Sequence, residues 1–242
     1  EGRTMNGFLY GLALQWRLDI RSRTLLVTCY LVPLVFFLLM GGIFTSVMPE
    51  MKSTLISSMI VMSVSMGALI GLPPSLLETY GSDVKQMYKA NGVPVYLGLV
   101  TMAFSAFIHL MLTTAMILML APPLFGAALP ASLFRFFPAL ALYTIASLGI
   151  GSVLGLAAKS QAKLTMAAQL VFLPSIMLSG IMFPASLLPG PLEGAGRIFP
   201  AFWGYRAMLD GGLRLENLWY LVLVSCLAFG VCGILLKEKI AV

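Results

Sequence analysis

The chain has 242 residues, of which 60% are hydrophobic and only 10% charged. Soluble domains carry roughly 25% charged residues, so this composition excludes a water-soluble globule and points to a polytopic membrane protein. The net charge of +6 is no sign of a nucleic-acid partner, because Lys and Arg in such a chain report mainly which side each loop faces.

Glu1, Gly2 and Arg3 resemble the end of a protease-cleavage tag, with Met5 as the natural start, so residues 1–4 are set aside. No cleavable signal peptide is expected, because no small-residue cleavage site follows the first long apolar run. Between 6 and 23, Phe8, Leu12, Trp16 and Ile20 recur every four residues, with Leu9 and Ala13 beside them. Gln15, Arg17, Asp19, Arg21 and Arg23 fall largely off that stripe. Such a helix is too charged to span and should lie along the membrane surface, on the cytoplasmic side by its arginines.

Six spanning segments are expected, each near the ~20 apolar residues that a bilayer requires. They cover 25–47, 53–72, 95–120, 136–158, 164–182 and 218–236. The second is rich in Ser and Gly, as helix contacts in lipid tend to be, and Pro73 and Pro74 mark its end or a bend. The fourth carries Gly149, Gly151 and Gly155 at near-helical spacing, and the fifth has a kink expected at Pro174. No internal repeat or linker divides the chain, so 1–242 reads as one all-α transmembrane domain. With both ends inside, the inner segments hold ten of the Lys and Arg residues and the outer segments five. This bias favours cytoplasmic termini in a multi-pass plasma-membrane protein.

The stretch from 178 to 212, between spans five and six, fits neither a span nor a soluble loop. Pro184, Pro189, Pro191 and Pro200 break any helix long enough to cross. Phe183, Phe199, Phe202, Trp203 and Tyr205 are too apolar for water. One reading is a long loop with interfacial aromatics. The other is a re-entrant pair of short helices over 183–212, with aromatics facing lipid or a dimer seam and charges at the headgroups.

The chemistry-bearing residues exclude more than they assign. No GxxxxGK[ST] loop occurs, and no soluble stretch is long enough for an ATPase. His109 is the sole histidine, so paired-His metal sites and His-based hydrolysis lack raw material. Cys29, Cys226 and Cys232 lie in apolar runs and read as packing residues. His109 and Tyr143 are the titratable groups expected well inside spans, whereas the carboxylates, Asp19 among them, are expected at ends or in loops. His109 is either a functional group or a neutral imidazole bonded to a neighbouring helix, near Thr113 on its own face. In the loop 78–91, a short helix from Ser82 would set Val84, Met87 and Tyr88 on one side, with Asp83 in its first turn and Lys85 and Lys89 beside them. That loop is a solvated connector or a docking knob for a soluble partner.

Taken in order, these features resemble the membrane subunit of ABC-2 type ABC exporters. An amphipathic helix precedes the first span. The loop between spans two and three begins at Glu78 and closes with Gly92-Val93-Pro94-Val95-Tyr96. After span five come Ser179-Gly180-Ile181-Met182-Phe183-Pro184, Leu188-Pro189, Phe199-Pro200 and Arg206, similar to the family's run there. The resemblance covers nearly the whole chain. It implies a non-catalytic permease subunit, paired with a second copy or a homologous permease and bound to separate ABC ATPase subunits that carry ATP and Mg. This chain itself would bind no cofactor or metal. Residues 82–91 would be the coupling helix, with Glu78, Asp83, Val84, Lys85, Met87, Tyr88 and Lys89 as coupling residues. Phe183, Pro184, Pro189, Phe199, Phe202, Trp203 and Arg206 would form the exit gate. One departure is that Glu78-Thr79-Tyr80-Gly81-Ser82 matches the family's Arg-Glu-x-Gly-Thr run only in part. The substrate implied is a drug, peptide or lipid-like amphiphile, with polysaccharide export on the same fold as the alternative. A stand-alone channel or carrier and a membrane-embedded enzyme remain the competing classes.

Overall fold

The computed structural model describes residues 2–82, 94–182, 188–209 and 215–241. All their regular secondary structure is helical. Six helices are long and apolar enough to cross a membrane, in agreement with the six expected.

Helix α1 (Gly2–Arg21) ends where Ser22 turns the chain, its hydroxyl accepting the Leu25 N–H at 3.3 Å. Helix α2 then runs through Arg23–Leu26, a π turn at Val27–Leu31 and Val32–Ser46. A short 3₁₀ turn, Pro49–Ser53, leads into α3, which comprises Leu55–Met66, a second π turn at Gly67–Gly71 and Leu72–Gly81. Helix α3 therefore continues past Pro73 and Pro74, which neither end it nor stop it short of Gly81.

The prolines explain both wide turns. A proline inside a helix offers no N–H, and its ring crowds the carbonyl four residues back. For Pro33 that residue is Cys29, and for Pro73 and Pro74 they are Leu69 and Ile70, all within the π turns. The Val32 N–H reaches back five residues to Val27, and the Leu72 N–H does the same to Gly67. The crowding is relieved by widening the turn instead of breaking the helix.

Helix α4 (Tyr96–Phe125) runs one turn beyond its expected end, taking Pro122 and Pro123 into its last turn. It stops at Gly126, whose φ of 59° is left-handed. There the Gly126 N–H bonds Pro122 O at 2.8 Å, the closing bond of an αL motif, and the Ala127 N–H reaches Ala121 O at 3.4 Å. Helices α5 (Leu133–Ala157) and α6 (Gln161–Leu178) follow, with Ser160 capping α6 through the Lys163 N–H. Two short helices, α7 (Gly190–Gly196) and α8 (Pro200–Leu209), precede the last span, α9 (Leu215–Ala241).

Helix α3 is the axis of the bundle. Its spanning window is 89% buried, against 17% for that of α9. The expected small-residue seam is present and lets α5 close on both. An added Cβ at Gly151 would sit 1.9 Å from the Ala68 carbonyl oxygen, in the π turn of α3. At Gly155 it would meet Leu76 and Pro73 of α3, and at Gly149 the Ala228 side chain of α9. Tyr143 of α5, 1% exposed, bridges to α3: its hydroxyl lies 2.5 Å from Ser65 Oγ and 3.2 Å from the Val61 carbonyl. The outward faces are apolar, as at Met166, Leu170, Leu173 and Met177 of α6, which suits lipid contact.

Candidate functional site

The helix order gathers the end of α3, the start of α4, the α5–α6 turn and the end of α9 at one end of the bundle. Glu78 is exposed on the last turn of α3. Tyr80 is buried two residues on, and its hydroxyl donates to the Val95 carbonyl at 2.6 Å and accepts the Leu99 N–H at 2.7 Å. One side chain thus ties the exit of α3 to the entry of α4 and fixes the base from which the intervening chain departs. Lys239 Nζ reaches the Tyr80 carbonyl at 3.5 Å. Beside this tie, an open groove of about 470 Å³ is lined by Tyr80, Leu156, Lys159, Glu238 and Lys239. The other coupling residues, Asp83, Val84, Lys85, Met87, Tyr88 and Lys89, lie outside the described residues.

The opposite end carries α7 and α8. Phe183 and Pro184 lie outside the described residues, while Pro189 is exposed just before α7. The 183–212 stretch does contain two short helices, but Phe202 and Tyr205 are buried within the bundle, where the expectation was aromatics facing lipid or a dimer seam. Phe202 is 2% exposed, because α8 packs against α3, α5, α6 and α9. Trp203 stacks on Tyr220 of α9 with ring centroids 5.4 Å apart. Its indole N–H donates to the Arg197 carbonyl at 2.7 Å, and the Tyr220 hydroxyl donates to the Ile198 carbonyl. The α7–α8 turn is thereby clamped, with Phe199 half-buried in it. Arg206 is exposed, its guanidinium 5.4 Å from the Phe202 ring centre, within cation–π range. A recess of about 160 Å³ opens between this unit and the other loops of the same end, lined by Ser53, Ser57, Ser132, Phe136 and Met208 among others.

A third cluster was not expected. Asp19 of α1 is 5% exposed and points into the bundle, not to water. It accepts hydrogen bonds from Ser105 Oγ at 2.5 Å and Gln15 Nε2 at 2.7 Å. His109 Nε2 lies 3.9 Å from Asp19 Oδ2, and the Tyr30 hydroxyl lies 2.6 Å from His109 Nδ1. Trp16 stacks flat on the imidazole, 4.4 Å away at 5°. Burial pushes the Asp19 carboxyl above its ordinary range, against the opposing pull of Ser105, Gln15 and His109. His109 is thus bonded to α2 through Tyr30, whereas Thr113 spends its hydroxyl on the Cys29 and His109 carbonyls. The spacing held the signal: Leu12, Gln15, Trp16 and Asp19 share one helical face, and so do Ser105 and His109. Among the described residues, no group of three or more His, Cys, Asp or Glu side chains could hold a metal ion.

Compared with known families, residues 8–213 match the model described as ABC-2 type transporter. The match runs from α1 through α8 to the approach to α9. No curated protein matches the chain.

Proposed function

The chain belongs to the ABC-2 type transporter family, and from that premise we propose that it is the permease subunit of an ATP-driven exporter. It pairs with a second copy or a homologous permease, and the substrate path runs between the two. The energy comes from separate ATPase subunits, which hold ATP and Mg. The substrate is a drug, peptide or lipid-like amphiphile.

The observation that carries this reading is the family match over residues 8–213, coinciding with six helices of spanning length. The local build supports it. Helix α3 is the most buried of the six spans and carries the Tyr80 tie on its last turn, so a push on residues 82–91 would be transmitted to the centre of the bundle. Under this reading the Tyr80 end faces the cytoplasm, both termini are cytoplasmic, and the α7–α8 unit covers the exit.

The test is co-purification. The chain is expected to be recovered with a separate ATPase in a two-plus-two complex, with ATP hydrolysis only in that complex. Robust hydrolysis by the pure chain, or its isolation as an active transporter with no ATPase, rejects the proposal.

A further inference from the structure

We propose that Asp19 and His109 form a proton-binding site that holds α1 on α4 while the proton is bound and lets α1 go when it leaves. The proposal stands on the buried cluster alone and does not depend on the ATPase or the substrate.

The two groups face each other across one unfilled contact. Asp19 Oδ2 is taken by the Ser105 hydroxyl and Oδ1 by the Gln15 amide. On the imidazole, Nδ1 is engaged by the Tyr30 hydroxyl. His109 is 1% exposed, and its Nε2 has no hydrogen-bond partner among the described residues, yet it lies 3.9 Å from the carboxylate. With Tyr30 donating to Nδ1, the neutral imidazole carries its ring proton on Nε2, toward Asp19; a further proton is held by the carboxylate, or by Nδ1 with the Tyr30 hydroxyl turned to accept. A void of about 10 Å³ lies beside the carboxylate against Gln15 and Cys29.

Charge balance then decides the states. One proton beyond neutral imidazole and carboxylate makes the pair net neutral, whichever partner carries it. Without that proton a carboxylate is left in a low-dielectric site, which is strongly unfavourable unless it is paired. The packed helices supply no other compensation among the described side chains. On α1, Arg17 and Arg21 are exposed. Helix α2 contributes Tyr30 and Cys29, neither of them cationic. Helix α3 contributes Gly67, Gly71 and Ser75 to the void, and α4 contributes Ser105 beside His109 itself. The relief available is for α1, a single surface helix, to carry Asp19 out to water. The raised Asp19 carboxyl agrees in sign: the docked state holds its proton more tightly than the free chain, so docking weakens as pH rises from the ordinary carboxylate value of 3.8 through the raised one.

Trp16 is a built-in reporter, since a stacked imidazolium quenches indole fluorescence more than neutral imidazole does. With Trp203→Phe and Trp219→Phe, Trp16 is the sole tryptophan. In nanodiscs the full chain is expected to show one pH transition in its emission. Asp19→Asn should lower the midpoint by a unit or more, a tenfold loss of proton affinity. Ser105→Ala, which strips a donor from the carboxylate, should raise it, and His109→Gln should abolish it. The protection factors of the amides over residues 11–21, which remove the base-catalysed rise of exchange with pH, should fall on the alkaline side in the parent and hold in Asp19→Asn. Size-exclusion profiles identify the variants that remain folded. Emission that is flat with pH, an unmoved midpoint in folded Asp19→Asn, or protection over 11–21 that is constant with pH overturns the proposal.

Discussion

Gly151 lies directly over the carbonyl of Ala68, so close that a Cβ at Gly151 would stand 1.9 Å from that oxygen. The carbonyl belongs to the π turn of α3, and the residue five places on, Pro73, has no N–H to offer it. A glycine is thus required where the widened turn of one helix meets the flank of the next.

Gly151→Ala is accordingly expected to destabilise the bundle by about 1–3 kcal/mol, the usual cost of overpacking, because backbone and not a flexible side chain must move. The matched control is Gly230→Ala in α9, where nothing lies within 4 Å of the added methyl. That change should be neutral or slightly stabilising, since alanine is the better helix former by about 1 kcal/mol. Thermal unfolding in one detergent measures both, and equal melting temperatures would contradict the packing described.

Trp203 and Phe202 should separate by mechanism. Trp203→Phe keeps the ring on Tyr220 but removes the donor to the Arg197 carbonyl, at a cost of about 1 kcal/mol. Amide exchange over 188–200 should rise while the rest of the bundle is unchanged. Phe202→Ala empties a buried site and should cost about 3–5 kcal/mol of global stability. Under the exporter reading, Trp203→Ala impairs export with ATPase assembly intact. An unchanged export rate would remove α8 from the exit.

Met87→Asp should uncouple transport from ATP hydrolysis without preventing membrane insertion. Under the exporter reading, a charge at this position must be desolvated against the ATPase and costs several kcal/mol if it stays unpaired. Wild-type ATPase binding by this variant, measured by pull-down, would leave the loop as a plain connector.

The orientation is testable by labelling. Ser82, Gln161 and Gly190 are all exposed, the first two at the Tyr80 end and the third at the other. In a Cys226→Ala background, cysteines at Ser82 and Gln161 should react only from the cytoplasm and one at Gly190 only from outside. Labelling of Gly190 from inside would reverse the assignment drawn from the Lys and Arg bias.

The spans were legible because a bilayer requires long apolar runs and little else produces them. Their ends were less so, and proline is the reason. Read locally, Pro73 and Pro122 say stop. In the fold, Pro73 sits just past a wide turn that relieves the crowding, and Pro122 sits in a last turn closed by Gly126. Neither device shows in a window of hydropathy. Asp19 was misread for a different reason. A polar residue on an amphipathic helix is assigned to water by default, and only the approach of α4 shows that His109 and Ser105 lie on that side instead. Phe202 was likewise assigned to lipid or a dimer seam by its aromatic character, when the packing of α8 against four other helices leaves it 2% exposed.

The two π turns, Val27–Leu31 and Gly67–Gly71, lie against each other. Each stores a residue in reserve relative to α-helical register. If the turn in α3 slid along the helix, every residue it passed would rotate by about 100° about the axis and shift by about 1.5 Å along it. The segment Leu72–Gly81, which carries the Tyr80 tie, follows that turn directly. Pro73 and Pro74 oppose such a slide, because the widened turn must stay beneath their rings, so the two wide turns lock the register of α2 and α3 side by side.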